Sequence, residues 1–131
     1  LAAVTAYPDL WAAGVEFFGI ANWITFFERT GPWRRKLRAV EYGDPETEGE
    51  FLREISPINH VDRIEVPLFV AHGLNDPRVP PYESELIVEN LKRRGVPVEF
   101  VTFADEGHGF HKLENRIAVF GAVAEFLDRH V

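Results

Sequence analysis

The sequence predicts an α/β fold, a mostly parallel sheet of about three strands flanked by helices, and three observations carry that prediction. The run 66–73 is apolar without alternation, as a strand covered on both faces requires, and 98–103 reads as a further strand. Helical patterns at about 80–94 and 114–130 follow those two strands. An order of strand, helix, strand, helix brings successive strands side by side in parallel through right-handed crossovers.

Taken in order, the chain opens on Leu1, Ala2, Ala3 and Ala6, a small-residue pattern that reads as the tail of a longer helix. Residues 12–20 are apolar and bounded by turn residues, which suits a buried strand. Residues 22–55 change character: Trp23, Phe26, Phe27 and Trp33, a basic cluster of Arg34, Arg35, Lys36 and Arg38, then an acidic stretch with Gly and Pro. This reads as short helices on loops, an excursion from the layered pattern. A turn is expected at 55–58, then the strand 66–73. Pro80 and Pro81 suit the first turn of a helix running to about Arg94, whose last turn holds Lys92, Arg93 and Arg94 and which Gly95 closes. After the strand 98–103, the last helix is expected to bury a stripe of Leu113, Ile117, Phe120, Ala124, Leu127 and Val131. All 131 residues are read as one partial domain with the excursion at about 22–55.

Composition narrows the function. An apolar fraction of 46% with 27% charged residues is that of a folded globular chain. The net charge of −7 offers no basic face to neutralise phosphates, which argues against nucleic acid. The absence of cysteine removes disulfides and thiolate catalysis. No apolar run approaches the roughly 20 residues of a membrane span, and the stretch Leu1-Ala2-Ala3-Val4 lacks the charged flank expected of a signal peptide. The cytoplasm is the compartment expected by default.

The two loops after the strands carry the chemistry. His72-Gly73-Leu74-Asn75-Asp76-Pro77-Arg78 ends the first strand and Asp105-Glu106-Gly107-His108-Gly109-Phe110 follows the second, so an acid and a histidine should meet at one sheet edge. A serine hydrolase needs such a histidine as proton acceptor, and a carboxylate on its other nitrogen. Neither Ser56 nor Ser84 sits in a Gly-x-Ser-x-Gly elbow, so the nucleophile is not found. The same spacing also suits a turn aspartate and an exposed loop histidine. The cluster Asp105, Glu106, His108 and His111 raises metal binding as a third reading, opposed by the interposed glycines and the lack of a second histidine pair. No metal or cofactor is assigned; His72 reads as the end of a buried strand, His60 and His130 as surface residues.

These motifs together resemble the C-terminal part of the catalytic domain of prolyl oligopeptidase family (S9) serine peptidases, α/β-hydrolases, and especially their acylaminoacyl-peptidase-like and dipeptidyl-peptidase-like members. The resemblance runs from Tyr7-Pro8-Asp9-Leu10-Trp11-Ala12-Ala13-Gly14 through Asn22-Trp23 and Ser56-Pro57-Ile58 to the Asp76 and Glu106-Gly107-His108-Gly109-Phe110 loops. It implies that Asp76 and His108 are the triad acid and base, and that the serine elbow and the oxyanion donors belong upstream of Leu1. The parent protein is then expected to cleave peptides or acylated amino acids, and this chain alone to be inactive. By the same resemblance Trp23, Phe26 and Phe27 border the substrate crevice, although such rings more often fill core. The basic cluster is read as a substrate-carboxylate site or, more simply, a solvated helix face. An unpaired strand at 12–20 is expected to drive self-association or pairing with the missing upstream segment. Two alternatives stay open: an esterase or dienelactone-hydrolase-like protein with the same loops, and a non-catalytic interaction module on a hydrolase scaffold.

Overall fold

Three parallel strands in the order β1-β2-β3 organise the computed structural model, which describes all 131 residues. They are β1 (Gly14–Phe17), β2 (Leu68–Gly73) and β3 (Val98–Phe103). Six helices accompany them: α1 (Ala2–Ala6), α2 (Trp23–Arg29), α3 (Pro32–Tyr42), α4 (Gly49–Glu54), α5 (Tyr82–Arg94) and α6 (Leu113–His130). Val70 of β2 lies opposite Glu16 on one side and Phe100 on the other. The fold class read from the sequence is therefore the one observed.

Every residue of β2 is buried, because helices cover both faces of the central strand. Leu68 and Val70 face a core shared with Val4, Ile64, Ile87 and Leu91, where α1 and α5 pack. Phe69 and Ala71 point the other way, against Val119 and Phe126 of α6. Burial on both faces is the physical reason the run carries no polar alternation.

Three expectations need correction. The strand expected at 12–20 pairs only from Gly14 to Phe17. Phe18 takes a positive φ of 44°, and the Gly19 amide turns back to donate to the Glu16 carboxylate, so the chain leaves the sheet there. The turn at 55–58 gives way to a 3-10 segment from Pro57 to Arg63. On α6 most of the expected stripe faces outward: Leu113, Ile117, Phe120, Ala124 and Val131 are exposed, Leu127 alone of the stripe packs against the core, and Val119 and Phe126 are the buried residues. Both stripes have helical spacing, and the contact of Phe126 with Phe69 of β2, at 5.6 Å between rings, selects the second.

The excursion folds as α2, α3 and α4 around Phe26, Phe27, Leu52 and Val79. Asn22 starts α2 by accepting from the amides of Ile24 and Thr25, at 3.0 and 3.5 Å. Glu83, fully buried at the start of α5, ties the excursion to the sheet layer by accepting from the Asn22 amide and the Thr25 hydroxyl. Burial pushes the Glu83 carboxyl up, against those hydrogen bonds. Gly95 ends α5 at a φ of 72°, the left-handed conformation glycine adopts without steric cost.

Candidate active site

Asp76 and His108 stand on the loops that leave the C-terminal ends of β2 and β3. Main-chain bonds bind these loops together: Leu74 donates to the Phe103 carbonyl at 2.9 Å and Asn75 to the Glu106 carbonyl at 3.0 Å. Gly73 is required at the junction, since a Cβ there would lie 2.3 Å from the Gly107 carbonyl oxygen and 2.6 Å from that of Glu106. Glu106 braces the histidine loop from below, accepting from the amides of His111 and Lys112 at 2.8 and 2.9 Å. Those backbone bonds hold the Glu106 carboxyl below its ordinary value. Asp105 is engaged by Lys112 at 2.6 Å and by Asn115. The four residues that raised metal binding thus build the loop, and no cluster of ligand-type side chains suited to a metal forms.

The ring of His108 meets Asp76 at 2.8 Å, Nδ1 to Oδ2. The Asp76 side chain is fully buried, while that of His108 keeps 28% of its surface exposed. The other oxygen, Oδ1, accepts from the amides of Arg78 and Val79 at 2.8 and 3.0 Å. Burial alone would push the Asp76 carboxyl up; bonds from His72, the Val79 amide, His108 and the Arg78 amide outweigh it and hold it below its ordinary value. An ionised carboxylate only accepts, so Nδ1 of His108 carries a proton, and in the neutral ring the lone pair is on Nε2. That is the tautomer a general base requires.

Beside His108 a hollow of about 130 Å³ opens between the sheet end and the excursion. Ile20, Phe26 and Val79 form its apolar wall and Arg38, Tyr42 and Arg78 its polar one. Of the three rings singled out in the sequence, only Phe26 reaches it. Phe27 is buried in the core of the excursion, and Trp23, half-buried, packs on Tyr42 at 4.6 Å and on Phe26 at 5.7 Å. Within the basic cluster Arg38 pairs with Glu41, and Arg35 donates to the Glu28 carbonyl at 2.5 Å.

Sequence reasoning missed two residues. Phe18 lays its ring 4.6 Å from that of His108, a placement that depends on its positive φ and has no sequence signal. His72 is not merely the end of a strand: it is fully buried and its Nε2 lies 3.3 Å from Asp76 Oδ2. Both serines are buried and engaged elsewhere. Ser56 donates to the Leu52 carbonyl at 2.6 Å and accepts from the Trp23 amide, and Ser84 bonds His72 at 2.6 Å.

A parallel sheet with an acid and a histidine on its last two strand-end loops is the architecture of an α/β-hydrolase. The comparisons sharpen that class. A family model described as the prolyl oligopeptidase family matches residues 1–131, and the chain belongs to that family of S9 peptidases. It is 38% identical to dipeptidyl aminopeptidase BIII of Pseudoxanthomonas mexicana over 95% of this chain and 19% of that protein. It is 33% identical to dipeptidyl peptidase family member 6 of Caenorhabditis elegans over 98% of this chain and 18% of that protein. A puromycin-hydrolyzing peptidase of Mycobacterium tuberculosis superposes with a TM-score of 0.90 at 29% identity, covering 98% of this chain and 20% of that structure. An acylaminoacyl peptidase of Pyrococcus horikoshii gives 0.87 at 28% identity, with 98% and 21% covered. The chain spans about a fifth of the length of these relatives.

Proposed function

We propose that this chain supplies the acid and the base of a serine peptidase active site, Asp76 and His108, to a catalytic unit whose nucleophilic serine and oxyanion donors come from residues outside it. The 2.8 Å bond from His108 Nδ1 to a buried, ionised Asp76 carries the reading. In the reaction, His108 Nε2 takes the serine proton as the serine attacks the carbonyl carbon of a peptide or acyl-amino-acid bond. It then gives that proton to the leaving amine, and in the second half-reaction activates a water to release the acid. Asp76 stabilises the imidazolium formed in between. The hollow beside His108 has the size for a side chain next to the scissile bond, with Phe26 on its apolar wall.

Alone, the chain is read as inactive, because nucleophile, base and oxyanion donors act as a unit. It is read as part of one catalytic domain, working in the cytoplasm, and as partnered. The free edge of β1 exposes Val15, and the outward stripe of α6 exposes Leu113, Ile117 and Phe120. Apolar surface of that extent is covered in a working protein, by the upstream segment or by a second copy. No helix is long and apolar enough to cross a membrane.

Fluorophosphonate treatment followed by intact-mass measurement tests the reading. The chain alone is expected to give no adduct. Joined to a serine-bearing upstream segment of a family member, it is expected to give one adduct that disappears in His108→Ala. An adduct on Ser56 or Ser84 of the isolated chain sinks the proposal.

A further inference from the structure

We infer that His72 is a positioning residue for the acid of the pair: it fixes the Asp76 carboxylate from behind and leaves one lone pair of Oδ2 for His108. The inference rests on the reading of His108 as the general base and deepens it. His72 is the penultimate residue of β2, and its ring has no exposed surface. Its Nε2 lies 2.8 Å from the Val79 carbonyl oxygen and 3.3 Å from Asp76 Oδ2. Both partners only accept, so Nε2 carries a proton; it donates to the Val79 carbonyl, and Asp76 Oδ2 lies beside the same N–H in a longer electrostatic contact. Its Nδ1 lies 2.6 Å from Ser84 Oγ on α5. The Ser84 hydroxyl donates to Nδ1 and so locks the tautomer in which Nε2 is protonated.

Asp76 therefore has a donor at each point where its charge would otherwise be free. Oδ1 accepts from the amides of Arg78 and Val79, and Oδ2 bonds His108 on one side and has the His72 N–H 3.3 Å away, nitrogen to oxygen, on the other. With those contacts made, the carboxylate has no freedom to rotate away from His108. His72 is the one side-chain donor among them that is anchored in the sheet, so it refers the position of the acid to β2 rather than to the loop. Three other groups face this pair of histidines. The ring of Phe18 lies 6.4 Å from that of His72 and 4.6 Å from that of His108. The Glu16 carboxyl on β1 acts on His72 through its charge and is itself pushed up by burial. Ser84 completes the set.

Two measurements on the 131-residue chain test the inference. The first needs no variant: a long-range proton–nitrogen spectrum at neutral pH is expected to show His72 protonated on Nε2, and a neutral ring protonated on Nδ1 overturns the inference. The second follows the Asp76 carboxyl carbon through an acid titration. His72→Phe keeps the ring and removes the donor, so proton affinity at Asp76 is expected to rise about tenfold, with a displaced His108 Nδ1–H resonance. His72→Gln, which restores a donor, is expected to bring the titration most of the way back. An Asp76 titration unmoved in His72→Phe, while His108→Ala still moves it, overturns the inference and leaves the Asp76–His108 pair intact. A titration unmoved by His108→Ala refutes that pair, and the base reading with it.

Discussion

Replacing Gly73 with alanine is expected to pull the acid and the base apart without touching either. The new Cβ would lie 2.3 Å from the Gly107 carbonyl oxygen, 2.6 Å from that of Glu106 and 2.7 Å from the Glu106 carbonyl carbon. All three are main-chain atoms, so no rotamer change relieves the overlap. Reaching ordinary contact requires the 106–107 backbone to move by roughly 1 Å. His108 follows immediately, and its 2.8 Å bond to Asp76 would be stretched past the range in which an N–H···O bond forms. Overpacking of this kind costs about 1–3 kcal/mol and a lost bond to a charged group about 1.5–3. The two share one cause and do not add fully, so a loss of about 3 kcal/mol is expected. Urea unfolding reads the stability, and the carboxyl titration of Asp76 reads the contact, since losing the His108 donor lets its pKa climb towards the ordinary value. A Gly73→Ala chain within about 0.5 kcal/mol of the parent, with the Asp76 titration unmoved, would refute the reasoning.

Other substitutions and pH probe the same structure. Gly121 lies inside α6 with nothing within 4 Å of an added Cβ, so Gly121→Ala is expected to stabilise by about 0.5–1 kcal/mol in urea melts. Phe126 is fully buried against Phe69, and Phe126→Ala is expected to cost about 3–5 kcal/mol, whereas Phe120→Ala on the outward stripe should cost under about 1 kcal/mol. The Asp76 carboxyl titrates below its ordinary value of 3.8, so its contribution is complete above that pH and is lost as the pH falls through the folded-state value; Asp76→Asn should flatten this acid limb of the stability–pH curve. Glu16 has the opposite sign. Burial raises its carboxyl from an ordinary 4.5 and Oε2 has no partner, so stability falls as pH rises above that value. Glu16→Gln is expected to gain in denaturant midpoint at pH 7 relative to the parent, with the gain shrinking near pH 4.

The strands 68–73 and 98–103, the helix closed by Gly95 and the two loops that carry Asp76 and His108 were legible from residue order, because each rests on local chemistry. A strand buried on both faces has to be apolar throughout, a left-handed helix end favours glycine, and a loop that follows a parallel strand has to emerge at the same sheet edge. Asp76 and His108 could be singled out on that ground, and a 2.8 Å bond joins those two residues. What was misread turned on contacts between segments far apart in the chain. Two apolar stripes compete on α6, and only the position of Phe69 on β2 decides that Val119 and Phe126 go inside. Trp23, Phe26 and Phe27 are alike as sequence, yet the packing of α2 on Leu52 and Val79 buries Phe26 and Phe27 in one core and lets only Phe26 also line the hollow. His72 looked like the last residue of a strand because its partners, Ser84 on α5 and Asp76 on the next loop, face it only once β2 and α5 have packed. Residue order therefore determined which groups are available and on which elements they stand. The tertiary structure alone decided which of them touch, since side-chain contact depends on distances of an ångström that no local pattern encodes.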